Sequence, residues 1–319
     1  MSKVLITGVT GLAGGHLAEL LIQNGHDVSG VDVHESTLSK LGEIGEKTCF
    51  YECDVRDAVR LRNLVERIQP DMIFHLAAIT FGPTSWKHAQ ETYEVNILGT
   101  MNVLEAARHN EATPLVHIAG SSAEYGMVYE HENPVSEQAP LRPLSPYGVS
   151  KIGQTMMGYQ HYMNYSLHVV RTRAFNYTGP GENASFVCST FAKQIAEIEK
   201  GRIPPVIHVG NLDARRDFTD VRDVVRGYWL ALERGKAGEV YNVCSGTSYA
   251  IRQVLDLLLQ MSPRKDIEVV PDPDRLRPSD VPIQVGDFSK IKQQTGWEPA
   301  IPFDKTLSDL LDYWRTQVG

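Results

Sequence analysis

"KVLITGVTGLAGGHLAELLIQNG" (residues 3–25) decides how the rest of the chain is read. The run KVLIT (3–7) is apolar and reads as a buried strand. GHLAELLIQNG (15–25) has the apolar spacing of a helix and stops at Gly25, a residue suited to end one. Between them lie Gly8, Gly11 and Gly14, spaced G-x-x-G-x-x-G, with Leu12 inside the same turn. Glycines placed there let backbone approach a pyrophosphate, and the following helix N-terminus offers N–H donors and positive potential. The spacing departs from the general G-x-G-x-x-G fingerprint, and a turn that only packs a helix tightly would use the same glycines. Asp32 ends the next strand, DVSGVD (27–32), at the spacing expected of an acid that binds the ribose of a dinucleotide. Its carboxylate would repel a 2′-phosphate, which favours NAD(H) and leaves NADP(H) open.

Further strands are predicted at CFYECD (49–54), DMIFHLAA (71–78) and PLVHIAG (114–120), with amphipathic helices at 57–69 and 94–110. This βαβα rhythm implies an α/β fold, a doubly wound parallel (Rossmann) sheet with its ligands at the strand C-terminal ends. Leu76, Ala77 and Ala78 fall at one such end, as do Asp54 and Val55, although an ordinary turn explains Asp54 nearly as well. After residue 178 the rhythm breaks into a Gly/Pro-rich turn, an arginine-rich loop (210–223) and scattered helices. We therefore expect a dinucleotide-binding domain over 1–178. Residues 179–319 are expected to form mainly a smaller C-terminal substrate-binding lobe, with segments returning to the first domain.

The 319 residues are 42% hydrophobic and 22% charged, ordinary for a globular protein, and carry a formal net charge of −8. Broad attraction to nucleic acid or anionic lipid is not expected of such a chain. No apolar run suggests a leader or a membrane span. Cys49, Cys53, Cys188 and Cys244 show no C-x-x-C pair, so they read as reduced thiols in a cytoplasmic protein without a metal site.

SPYGVSK (145–151) carries the chemistry. Ser145 suits a helix cap and Pro146 the first helical position, which puts Tyr147 and Lys151 on one face, a turn apart. Taken with TGVTGLAG, CDVRD, HLAA, YEVNILGT and GSSAEYG in that order, the chain resembles the extended short-chain dehydrogenases/reductases that act on nucleotide sugars. RTRAFNYTGPGE (171–182), GNLDARRDFTDVRDVV (210–225) and RPSDVPIQVGDFSKIKQQTGWEP (277–299) are similar to GDP-4-keto-6-deoxy-D-mannose reductases and to GDP-mannose 4,6-dehydratases.

That resemblance implies a triad of Ser121, Tyr147 and Lys151. Tyrosine exchanges a proton with the sugar oxygen, lysine holds the nicotinamide ribose and lowers the tyrosine pKa, and serine binds the same oxygen. It further implies substrate contacts from Thr80, Ser85, Asn176, Lys193, Arg216 and Arg277, the two arginines matching diphosphate oxygens. The expected partner is a GDP-linked 4-keto-6-deoxyhexose, and the family's dimers imply a homodimer built on MNVLEAA (101–107) and MMGYQHYM (156–163). Dehydratases of the family carry Thr-Asp-Glu where this chain has Ser121, Ser122 and Ala123, so elimination lacks its acid and base. Glu124, in an extended segment, would face away and be structural. A 4-epimerase that retains its NAD, and a catalytically silent NAD-binding protein, remain alternatives at this level.

Overall fold

The computed structural model describes residues 1–34, 38, 41–80, 82–275 and 281–319. Its strands are β1 (Lys3–Thr7), β2 (Asp27–Asp32), β3 (Cys49–Glu52), β4 (Met72–His75), β5 (Leu115–Ser121), β6 (Val169–Ala174) and β7 (Asn176–Thr178). β8 (Val206–Val209), β9 (Arg215–Asp220), β10 (Val240–Val243), β11 (Ser248–Ala250), β12 (Glu268–Pro271) and β13 (Ile283–Gln284) follow. The helices are α1 (Leu12–Gln23), α2 (Glu43–Glu46), α3 (Ala58–Ile68), α4 (Gly82–Lys87), α5 (Ala89–Tyr93) and α6 (Gly99–Arg108). α7 (Pro146–Tyr165), α8 (Val187–Glu199), α9 (Val221–Arg234), α10 (Ile251–Met261), α11 (Ser289–Thr295) and α12 (Phe303–Gln317) complete the set.

A seven-stranded sheet in the order β3-β2-β1-β4-β5-β6-β10 is parallel at every pairing. The strand order reverses between β1 and β4, so their C-terminal ends open a crevice, the place where doubly wound sheets bind ligands. The inner strands read as near-continuous apolar runs because helices cover both faces. One face buries Val4, Ile6 and Phe74 against α1 and α9, and the other buries Leu5, Ile73 and Val116 against α3 and α6.

The second lobe is a layer of α8, α10 and α12 closed over β9 around Phe191, Leu255, Leu307 and Leu310. Its small sheet places β9 antiparallel to β11 and parallel to both β13 and β7. The chain then crosses back: α9, β10 and Trp297 join the core of the large sheet. Among the described residues, no helix is long and apolar enough to cross a membrane.

Candidate active site

The glycine turn is dictated by crowding. Gly8 has φ +74°, and a Cβ there would lie 2.8 Å from the Ala77 backbone; a Cβ at Gly14 would lie 2.2 Å from Gly8 O. Only glycine permits the β1–α1 turn to sit this close to the Leu76–Ala78 loop. Gly11 is the N-cap of α1, with no side-chain cap and no acidic residue in the first turn. The helix therefore keeps its donors and positive potential for an anion.

Asp32 sits across that turn. Its Oδ2 accepts from Thr10 N at 3.1 Å and Thr10 Oγ1 at 2.6 Å, and Oδ1 accepts from Val33 N at 2.9 Å. Turn, uncapped helix and carboxylate together fit a dinucleotide, with Gly8, Gly11, Leu12 and Asp32 as the residues that would hold it. Behind them, Thr7 Oγ1 donates to His75 Nδ1 at 2.8 Å and accepts from Ala77 N at 3.3 Å. His75 Nε2 meets Thr100 Oγ1 at 2.8 Å. Burial, with help from the Lys151 charge, pushes His75 down to about 3, so it serves as a neutral strut between the end of β1 and α6. Asp54 is engaged elsewhere: Arg56 Nε donates to its Oδ2 at 2.9 Å, and Val55 O accepts from Asn102 Nδ2 at 2.9 Å.

α7 begins as its residues dictate. Ser145 Oγ accepts from Gly148 N at 3.1 Å, and Pro146 occupies the first turn. Tyr147 hydrogen-bonds the Ser121 hydroxyl at the end of β5, with the Lys151 ammonium 5.7 Å from the Tyr147 ring centre. The sequence-based expectation that Lys151 lowers the Tyr147 pKa is not met in this arrangement. Burial pushes the phenol above its ordinary range; the downward pull comes from the Ser121 hydroxyl, while Tyr177 and Glu124 oppose ionisation further. Lys151 Nζ instead donates to Ala119 O at 2.9 Å, and burial lowers its own pKa to about 8 against an upward pull from Glu124.

Glu124 is not in extended backbone either. Residues Ser122–Glu124 form a single 3-10 turn capped reciprocally by Ser121. That turn swings the fully buried Glu124 carboxylate back beneath Ser121, where it accepts from Ser121 N at 3.0 Å, Thr155 Oγ1 at 3.0 Å and Arg173 Nε at 2.8 Å.

The substrate candidates divide. Asn176 Nδ2 donates to Asp217 O at 3.3 Å, and Arg216, next to it on β9, donates from Nη1 to Val281 O at 2.5 Å. Thr80 is exposed, whereas Ser85 has no accessible surface. Lys193 lies on α8, 3.8 Å from Glu197 and over the Trp314 ring. Arg277 lies outside the described residues.

Three residues escaped sequence reasoning. Tyr177 acts on Tyr147, and the one signal for it is its place beside Asn176 in RTRAFNYTGPGE (171–182). Asn96 sits in a π-helical turn (Glu94–Leu98) and brackets Ile79, accepting from its N–H at 2.8 Å and donating to its carbonyl at 3.1 Å. Gln284 reaches Ser122 O at 3.1 Å from the other lobe.

A switch-point crevice, a glycine turn with its ribose acid, and a Ser-Tyr-Lys constellation define an enzyme of the short-chain dehydrogenase/reductase class. The family model of GDP-mannose 4,6 dehydratase matches residues 5–310, and the chain belongs to that family. It is 34% identical to GDP-6-deoxy-D-mannose reductase of Pseudomonas aeruginosa over 249 residues, 78% of this chain and 82% of that protein. The Pseudomonas aeruginosa RMD structure, complexed with NADPH, superimposes with a TM-score of 0.88 at 30% identity, covering 99% of this chain and 100% of that one. UDP-glucose 4-epimerase from Thermotoga maritima, with UDP-glucose, gives a TM-score of 0.90 at 27% identity over 99% of this chain and 100% of the other.

Proposed function

We propose that the chain reduces GDP-4-keto-6-deoxy-D-mannose to GDP-D-rhamnose. Bound NAD(P)H would supply the hydride to carbon 4 of the sugar. Tyr147 donates its proton to the oxygen at that carbon, and the Ser121 hydroxyl holds the same oxygen. A phenol kept protonated by burial suits a proton donor to an alkoxide, which makes reduction the direction this Tyr147 serves. Lys151 binds the cofactor ribose from the same helix. Asn176, Arg216 and Arg277 anchor the nucleotide sugar, with weaker contacts from Thr80 and Lys193; Ser85, expected beside them, is fully buried and offers the substrate no surface.

The observation that carries the reading is the turn after Ser121. Ser122 and Ala123 have no acid or base to offer, and the Glu124 carboxylate is consumed by three donors. Elimination needs both groups, whereas ketone reduction needs only the proton of Tyr147. A 4-epimerase reading draws support from the Thermotoga maritima likeness. Supplying GDP-4-keto-6-deoxymannose with NADH separates the two: a reductase consumes one NADH per product, an epimerase none. A lack of NADH oxidation sinks the reductase reading.

Asp32 supports NAD(H) over NADP(H), since its carboxylate would meet a 2′-phosphate with like charge. Cofactor binding should also follow the titration of Lys151. Its depressed pKa means the ammonium is present below about pH 8 and lost above it. NADH affinity, read by fluorescence titration, is therefore expected to weaken as pH rises through that value. A flat profile contradicts the ribose-holding role.

A homodimer is part of this reading. Leu98 at the end of the π-helical turn, Met101 on α6, and Val149, Met156 and Met163 at seven-residue spacing on α7 are exposed apolar side chains. A second copy of the chain would cover that stripe. Sedimentation of a Met156→Glu/Met163→Glu variant is expected to show folded monomer where the unaltered protein shows dimer. An unaltered protein that sediments as monomer removes the assignment. Free cysteines agree with a cytoplasmic location.

A further inference from the structure

The segment from Val281 to Gly286 returns from the second lobe and is fastened on three sides. Arg216 Nη1 donates to Val281 O, Ile283 and Gln284 pair with Arg215 and Arg216 of β9, and Gly286 N donates to the buried Asp217 carboxylate at 3.1 Å. Between these anchors, Gln284 is 7% exposed and its Nε2 donates to Ser122 O at 3.1 Å. A carbonyl accepts only from the nitrogen end of an amide, so the side chain has one compatible orientation. Ser122 O also accepts from Tyr125 N at 3.0 Å, and Ser121 Oγ accepts from Ala123 N at 3.1 Å. A side chain of the second lobe therefore clamps the very turn that presents Ser121.

We propose that Gln284 is a positioning residue through which the nucleotide-holding lobe sets Ser121 for reaction. This rests on the reading of the preceding subsection, in which Arg216 contacts the diphosphate. Arg216 and Gln284 are direct partners across the β9–β13 pair. A diphosphate drawn against Arg216 thus stiffens the strand that holds Gln284, and Gln284 holds the serine turn. Binding energy from a remote part of a substrate raises turnover only where such a link reaches the reacting centre. The nucleotide then contributes to kcat as well as to KM.

The test uses the full chain with Gln284→Met, which fills similar space but offers no donor. Losing this hydrogen bond is expected to lower kcat for the keto sugar about tenfold with NADH KM unchanged. Hydrogen exchange at the Ala123 amide gives a readout independent of turnover. GDP should slow it in the unaltered protein and leave it unchanged in Gln284→Met, although GDP still binds. Unaltered kcat with GDP-dependent protection retained in the variant overturns the proposal. Should the variant fail to fold, the unaltered protein decides alone: GDP binding without protection at Ala123 overturns the proposal and spares the functional reading. A protein that binds no GDP at all overturns both.

Discussion

Tyr147→Phe is expected to lower kcat by roughly 10²–10⁴-fold, the range for removing a positioned general acid, while NADH binding stays unchanged. The ring is retained, so packing under the crevice survives; what is lost is the one proton that Ser121 and the sugar oxygen share with Tyr147. Because burial holds the Tyr147 phenol protonated, the free enzyme carries the form that reduction requires across the neutral range. Steady-state kinetics with the keto sugar, paired with a cofactor titration, read both halves of the expectation. Full turnover in the variant removes Tyr147 from proton transfer.

The second large effect lies beneath the serine. Glu124→Ala leaves the Arg173 guanidinium, only 5% exposed, without its partner in the core. Breaking a buried pair from one side costs about 3–5 kcal/mol, because the remaining charge has lost its water and its counter-ion together. Burial pushes the Glu124 carboxyl up, and Arg173 and the Ser121 N–H pull it down, so the pair is mutually dependent. Arg173 also donates to Tyr125 Oη at 3.2 Å and Glu137 O at 3.2 Å, so the damage spreads into the loop beside the site. Replacing both partners together, Glu124→Leu with Arg173→Met, should recover much of the stability but not the activity, since Ser121 N then has no acceptor. Chemical denaturation measures this. A single Glu124→Ala variant within about 1 kcal/mol of the unaltered protein, the scale of a surface pair, contradicts it.

The sequence was most legible where local rules act alone. Gly8 and Gly14 announce a turn because a side chain would strike the 76–77 backbone at Gly8 and the Gly8–Val9 backbone at Gly14, and the Ser145 cap fixes where α7 starts and hence that Tyr147 and Lys151 share a face. What stayed hidden depends on partners distant in sequence. Arg173 is 49 residues from Glu124, and Gln284 is 162 residues from Ser122. Without Arg173 in view, Glu124 read as turned away in a strand, whereas the buried guanidinium and Thr155 hold it inward through a 3-10 turn. The resemblance likewise implies a Lys151 charge that acts on Tyr147, but it says nothing of the Ala119 carbonyl that claims the ammonium here. Asn96 was obscured by a π turn, which shifts the side-chain register by one residue from any regular helical reading.

The central claim is that hydride reaches carbon 4 of a keto sugar as Tyr147 supplies the proton. It is tested most directly with NADH deuterated at the transferable position of the nicotinamide, incubated with GDP-4-keto-6-deoxymannose and followed by NMR of the sugar. The account predicts a 6-deoxyhexose carrying one deuterium at carbon 4 for each NADH oxidised. A product without deuterium at that carbon, or one formed with no NADH consumed, contradicts it.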